Sequence, residues 1–211
     1  MPNVTGPSFS LPAKSFPAQT SGVPAGVLGE LGMSEFMARY GTLVKAGVVQ
    51  TALAIVTAPV IWSTAAGAGG PLIWNKPNSG VDAYILAVTF SNPTTASGES
   101  GALGVATSIG QTVAPTTATA IDASGNAYAG GAATKMGAVD RIATVANAAT
   151  VFVPLSGVST GATSVFGVND NFVELAGMIV VSPGSCGFVA ATATLTTAVI
   201  QIGLIWAELP V

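Results

Sequence analysis

The clearest hydrophobic pattern in the chain lies at its C-terminal end. Over Ala198–Leu209, Ile200, Ile202, Leu204 and Trp206 alternate with Gln201, Gly203 and Ala207, the period of two that predicts a strand with one buried face. Asp82–Ser91 reads the same way, with Tyr84, Leu86, Val88 and Phe90 expected on one face. Shorter apolar or alternating runs mark further strands at Val48–Val56, Val60–Ser63, Leu72–Asn75, Ala102–Ile109, Thr150–Leu155, Phe172–Val181 and Cys186–Ala190. Turn chemistry separates them: Pro59, the Lys76-Pro-Asn-Ser-Gly80 segment, and Pro183-Gly184. Strands recurring every eight to twelve residues or so with turns between them predict an antiparallel sandwich of the jelly-roll kind.

Three stretches break this rhythm. Ser34–Lys45 carries Phe36, Met37, Tyr40, Leu43 and Val44 at helical spacing, with Ser34 placed to cap, Glu35 near the positive end, and Gly47 to stop it. Gln111–Asn147 is low in complexity and reads as a long excursion from the sheet, its Asp122–Asn126 portion as a hairpin turn. Residues 1–32 hold Pro2, Pro7, Pro12, Pro17 and Pro24, a spacing that blocks helix and central strand alike, so they read as an extended arm. The predicted organisation is an arm over 1–32 and one β domain over 33–211 with a short helix at 34–45. No repeat of the length used by propellers or solenoids is present.

Composition sharpens the picture at one point. Half of the 211 residues are apolar, yet only 7% are charged, 6 basic and 9 acidic, where roughly 25% is usual for a soluble globular domain. A net charge of −3 gives copies little mutual repulsion, so such a chain either enters a membrane or covers much of its surface with partners. The mean hydropathy of +0.65 makes the membrane reading worth testing. Ala46–Trp62 is interrupted by Gln50 and Pro59, and Thr196–Trp206 is short and contains Gln201, so neither supplies the ~20 apolar residues of a spanning helix. The aromatics are not banded as barrel girdles are, and Met1–Gly6 lacks the basic start and apolar run of a secretory signal. The expectation is a protein without a membrane, and the scarcity of Lys and Arg argues against nucleic acid as a partner.

Candidate chemistry is thin. The chain has no histidine, which removes Ser-His-Asp, Cys-His and His-ligated zinc sites together. Gly157-Val-Ser159-Thr-Gly161 matches a nucleophile pattern, but it joins β runs and has no base to serve it. Asp170 and Glu174 would be the paired carboxylates of a glycoside hydrolase, although as acids flanking a turn they have an ordinary solvated reading. The Asp122–Asn126 and Asn169-Asp-Asn171 segments are oxygen-rich but lack the ligand number of a calcium loop. The lone Cys186 rules out an internal disulfide and reads as a small buried hydrophobe. Trp74 and Trp206 read as core residues. The sequence therefore predicts no catalytic, cofactor-binding or metal-binding residue and no cofactor.

Several segments together resemble the jelly-roll decoration, or cement, proteins of tailed bacteriophages. They are Ala38-Arg39-Tyr40 leading into a Gly47-containing strand, Leu72-Ile-Trp-Asn-Lys-Pro-Asn-Ser-Gly80, Ile179-Val-Val-Ser-Pro-Gly184 and the closing Ile-Trp-Ala-Glu-Leu-Pro210. The likeness runs in outline from Met33 to Val211. It implies a homotrimeric virion subunit, made in the host cytoplasm, that stabilises the capsid surface by contacting the major capsid protein, with the N-terminal arm lying over neighbouring subunits. A tail, spike or fibre component binding host carbohydrate through Trp62 or Tyr128 is the alternative within the same class. A carboxylate-based hydrolase is the alternative outside it.

Overall fold

The computed structural model describes residues 40–57, 61–63, 68–91, 100–159, 171–193 and 199–211. The arm expected over 1–32 and the first half of the expected helix lie outside them. The described part of that helix is α1 (Gly41–Lys45), which places Lys45 in its last turn and ends before Gly47 at φ +70°.

Eleven strands follow: β1 (Val49–Thr57), β2 (Ala68–Asn75), β3 (Val81–Ser91), β4 (Ser100–Ser108), β5 (Thr116–Ala120), β6 (Ala123–Asn126), β7 (Ala138–Thr144), β8 (Val151–Ser159), β9 (Asn171–Val181), β10 (Ser185–Ala191) and β11 (Val199–Pro210). They form two antiparallel sheets, one ordered β6-β1-β11-β3-β9 and the other β5-β7-β2-β10-β4-β8. The fold is the all-β sandwich that the strand spacing predicts. With β5, β6 and β7 set aside, the pairs β1·β11, β2·β10, β3·β9 and β4·β8 join the first strand to the last and work inward. Of the expected run Val60–Ser63, Val60 lies outside the described residues, Ile61 makes a single parallel bridge to Ala191, and 62–63 form a turn.

The core fills the space between the sheets. β11 lies between β1 and β3 and sends Ile200, Ile202, Leu204 and Trp206 inward, as its alternation predicts. They meet Ala52, Ala54 and Val56 from β1, and Ile73, Leu103, Val105 and Val189 from the opposite sheet. β3 departs from expectation. Its register shifts at Leu86, so Ile85 points into the core before the shift, and Val88 and Phe90 after it. Leu86 instead packs on the outer face with Val49 and Ala207. A one-residue irregularity moves every later side chain to the other face, and the sequence of β3 alone carries no sign of it.

A second apolar cluster covers the outer face of the six-stranded sheet. Leu72, Ala106, Cys186, Phe188 and Ala190 are buried there beneath Trp62, Trp74 and Phe152. Trp74 therefore belongs to this outer cluster, whereas Trp206 lies in the central core. The excursion over Gln111–Asn147 resolves into β5, β6 and β7, and of the expected hairpin turn at Asp122–Asn126 only Asp122 is a bend, Ala123–Asn126 being the strand β6. β6 pairs with β1 from Gln50↔Asn126 to Leu53↔Ala123. The chain thus passes from the six-stranded sheet at β5 to the five-stranded sheet at β6 and back at β7.

Ile202 is wholly buried in the middle of this core. Ile202→Ala is expected to lower unfolding free energy by about 2–5 kcal/mol, read from the denaturant midpoint; a loss below ~1 kcal/mol would show that β11 is not central.

Candidate functional site

The polar side chains of the described residues are mostly engaged in holding loops. Gln111, which is fully buried, is the most connected. Its Nε2 donates to Ser108 Oγ (2.7 Å) and to the Asn147 carbonyl (2.9 Å), and its Oε1 accepts from the Ala146 amide (2.9 Å). Its backbone N–H donates to the Gly184 carbonyl (2.7 Å), and its own carbonyl accepts from Trp74 Nε1 (2.8 Å). The side chain thus ties the end of β4 to the loop after β7, and the backbone of the same residue holds the loop after β9. Glu208 plays a similar part beside Trp206: its carboxylate accepts from Thr134 Oγ1, from the Lys135 amide at 2.8 Å and from Trp206 Nε1 at 3.1 Å.

The acidic residues singled out in the sequence are dispersed. Asp122 sits where the chain crosses between sheets, accepting from the Ile55 amide (2.6 Å) and from Arg141 Nη1 (2.9 Å). Asn126 donates from Nδ2 to the carbonyls of Gly47 (2.6 Å) and Ala132 (3.0 Å). The oxygen-rich stretch 122–126 is therefore engaged in protein hydrogen bonds. Glu174 lies on β9 and accepts from the Tyr40 hydroxyl at 2.7 Å, while Asp170, its expected companion, is outside the described residues. Of the Gly-x-Ser-x-Gly string, Gly157 to Ser159 end β8, and Thr160 and Gly161 are likewise outside. Among the described residues no group of three or more Cys, Asp or Glu side chains is arranged to hold a metal ion, and no helix is long and apolar enough to cross a membrane.

Cys186 is buried in the outer cluster. Burial, and secondarily the nearby Asp140 charge, push its thiol pKa up to about 12, so the nucleophilic thiolate is scarce at neutral pH. Asp140 is itself raised above its ordinary 3.8 by burial, and its Oδ2 has no hydrogen-bond partner.

What stands out is an apolar surface, which sequence reading did not single out. Phe172 is 62% exposed, Met178 76% and Val180 39%, all on the edge strand β9. Ile55 on β1 adds a fourth exposed large apolar side chain to the same sheet. Between these strands runs a shallow open groove lined by Thr51, Leu53, Thr89, Gly203 and Ile205, among others. Gly203 keeps its floor low, since a Cβ there would collide with Thr89 Oγ1. One end of the face is closed by α1, where Tyr40, Leu43 and Val44 pack with Ile205 over Val49, Leu86 and Ala207. Alternation in Phe172–Val181 was the signal available, but which face of an edge strand remains open depends on what packs against the sheet.

No protein-family model, curated protein or solved structure matches the chain.

Two outcomes follow. Gln111→Leu should orphan several buried groups at once and destabilise by about 2–4 kcal/mol, measured by urea unfolding; a change under ~1 kcal/mol would contradict its role. Asp140 has a folded-state pKa above its unfolded one, so its favourable contribution is complete at low pH and is lost as pH rises through the raised value. Asp140→Asn should therefore flatten the decline in unfolding midpoint on the alkaline side of 3.8, and an unaltered pH profile would refute that assignment.

Proposed function

We propose that this protein is a virion structural subunit, a capsid decoration protein whose sandwich is a jelly roll and which works as a homotrimer on the major capsid protein. The strand pairing supports the jelly-roll reading. Eight strands pair first with last and inward, as they do when one long hairpin is folded over into two sheets, and β5–β7 form an insertion at its turned end.

The observation that carries the assembly reading is an open apolar sheet face on a chain with 7% charged residues. A contiguous apolar patch at a sheet edge is an aggregation hazard unless a specific partner covers it. Permanent interfaces bury on the order of 2,000 Å² or more and are less polar than ordinary surface, which suits this composition. The polar network around Gln111 and the clip at Asp122 hold loops and sheet edges in place, giving such an interface a rigid support. The alternative of a carbohydrate-binding tail or fibre component draws less support: the Trp62 ring is stacked on Phe152 with centroids 5.6 Å apart, which leaves that role to Tyr128, 49% exposed.

The arm over residues 1–32 then serves attachment to the major capsid protein. Deletion of residues 1–30 should leave a folded oligomer whose co-sedimentation with heads built of the major capsid protein is sharply reduced. Attachment equal to that of the full chain would overturn this division of labour, and absence of attachment by the full chain would overturn the capsid reading itself.

A further inference from the structure

Among the described residues, the four strands that end the two sheets are unequally protected. β6 is four residues long, β5 is five residues with two register irregularities against β7, and β8 carries Pro154 opposite Gly104. Short length, broken register and proline all discourage a neighbouring strand. β9 is different: it spans eleven residues, Asn171–Val181, with no Pro, Lys or Arg. Its only charge, Glu174, is hydrogen-bonded by the Tyr40 hydroxyl.

The β9 edge does not offer a continuous ladder either. Its pairing with β3 jumps from Ile179↔Ile85 to Glu174↔Ala87, and Ala176 (φ 51°) and Gly177 (φ 79°) lie in the left-handed region inside the gap. The bulge prevents a full-length added strand, while Met178 and Phe172 project. The same sheet face holds the groove floored by Gly203 and walled by Leu53 and Ile205. Protruding apolar side chains and an apolar depression therefore occur on one face of one chain. No cationic side chain stands on the edge strand or lines the groove, so the surface has nothing with which to select an acidic partner.

We infer that this face is covered by a second copy of the chain, with Phe172 and Met178 of one subunit seated in the Thr51–Leu53–Thr89–Gly203–Ile205 groove of its neighbour. The inference rests on the assembly reading above and specifies which surface makes the contact between subunits. A like subunit supplies both halves of the fit, and the one charge on β9, Glu174, is already hydrogen-bonded within its own subunit by the Tyr40 hydroxyl, so the contact keeps few charges at its centre. The bulge limits the contact to side chains, so it closes without running on into an open-ended sheet.

The test compares the solution mass of the full chain with those of Phe172→Asp, Met178→Asp and Leu53→Lys by sedimentation velocity over a concentration series. Val151→Asp, at a site 53% exposed on the other sheet, is the control. Phe172 and Met178 are exposed in the single subunit, so their variants should keep the wild-type far-UV spectrum and unfolding midpoint. The expected result is an oligomeric wild type and control, with dissociation roughly tenfold or more easier in the knob and groove variants. An oligomer indifferent to all three substitutions, or a wild type that is monomeric at tens of micromolar, would overturn the inference. Binding to capsids is scored separately: an oligomer weakened by these substitutions that fails to bind heads sinks the capsid reading and leaves this contact standing.

Discussion

The two sheets meet across Ile200, Ile202, Leu204 and Trp206, which β11 delivers into the interior from its place between β1 and β3. A two-sheet protein is held chiefly by this kind of burial, since each sheet is stable only when one of its faces leaves water. β11 is the last and β1 the first of the described strands, so their pairing brings the two ends of the described domain together. Trp206 and Glu208 extend the same strand to the rim, where Glu208 gathers the backbone and hydroxyl donors of the loop after β6. The core thus decides where the outer loops are fastened.

The outer faces of the two sheets are treated differently. On the six-stranded sheet, Trp62, Trp74 and Phe152 roof a buried apolar cluster, and Gln111 secures the loops beside it. On the five-stranded sheet, α1 covers one end only, and the face beyond it ends at the exposed side chains of β9. Scarce charge gives this asymmetry its meaning. A protein with ordinary numbers of Lys and Glu would mask such an edge with them, but this chain has few to spend. On the assembly proposed above, covering by protein keeps the edge from indiscriminate association.

Much of the fold was legible because the strand signal is strong where apolar and small residues alternate. β1, β9, β10 and β11 fall within a residue or two of their predicted ends, and the antiparallel sandwich follows from their spacing. The failures have specific causes. The Thr-, Ala- and Gly-rich stretch that forms β5–β7 has almost no apolar contrast, so Asp122–Asn126 resembled a turn when the backbone of Ala123–Asn126 was in fact pairing with β1. The faces of Tyr84 and Leu86 were misassigned because the shift in β3 is imposed by β9 and β11, not by local sequence. Gln111 gave no signal at all, since its value lies in partners 35 or more residues away. The exposed face of β9 was hidden for a related reason: alternation identifies two faces but not which one is left uncovered.

On the assembly proposed above, the β9 face is covered when the protein is in its working state. Hydroxyl-radical footprinting of the assembled protein reads this directly, because Phe172 and Met178 are 62% and 76% exposed in the single subunit. Labelling at these two residues should fall several-fold from the dissociated subunit to the assembly, while that of Ile109 and Val113, 61% and 63% exposed, should hold. Labelling of Phe172 and Met178 that is the same in the assembly as in the dissociated subunit would contradict this covering.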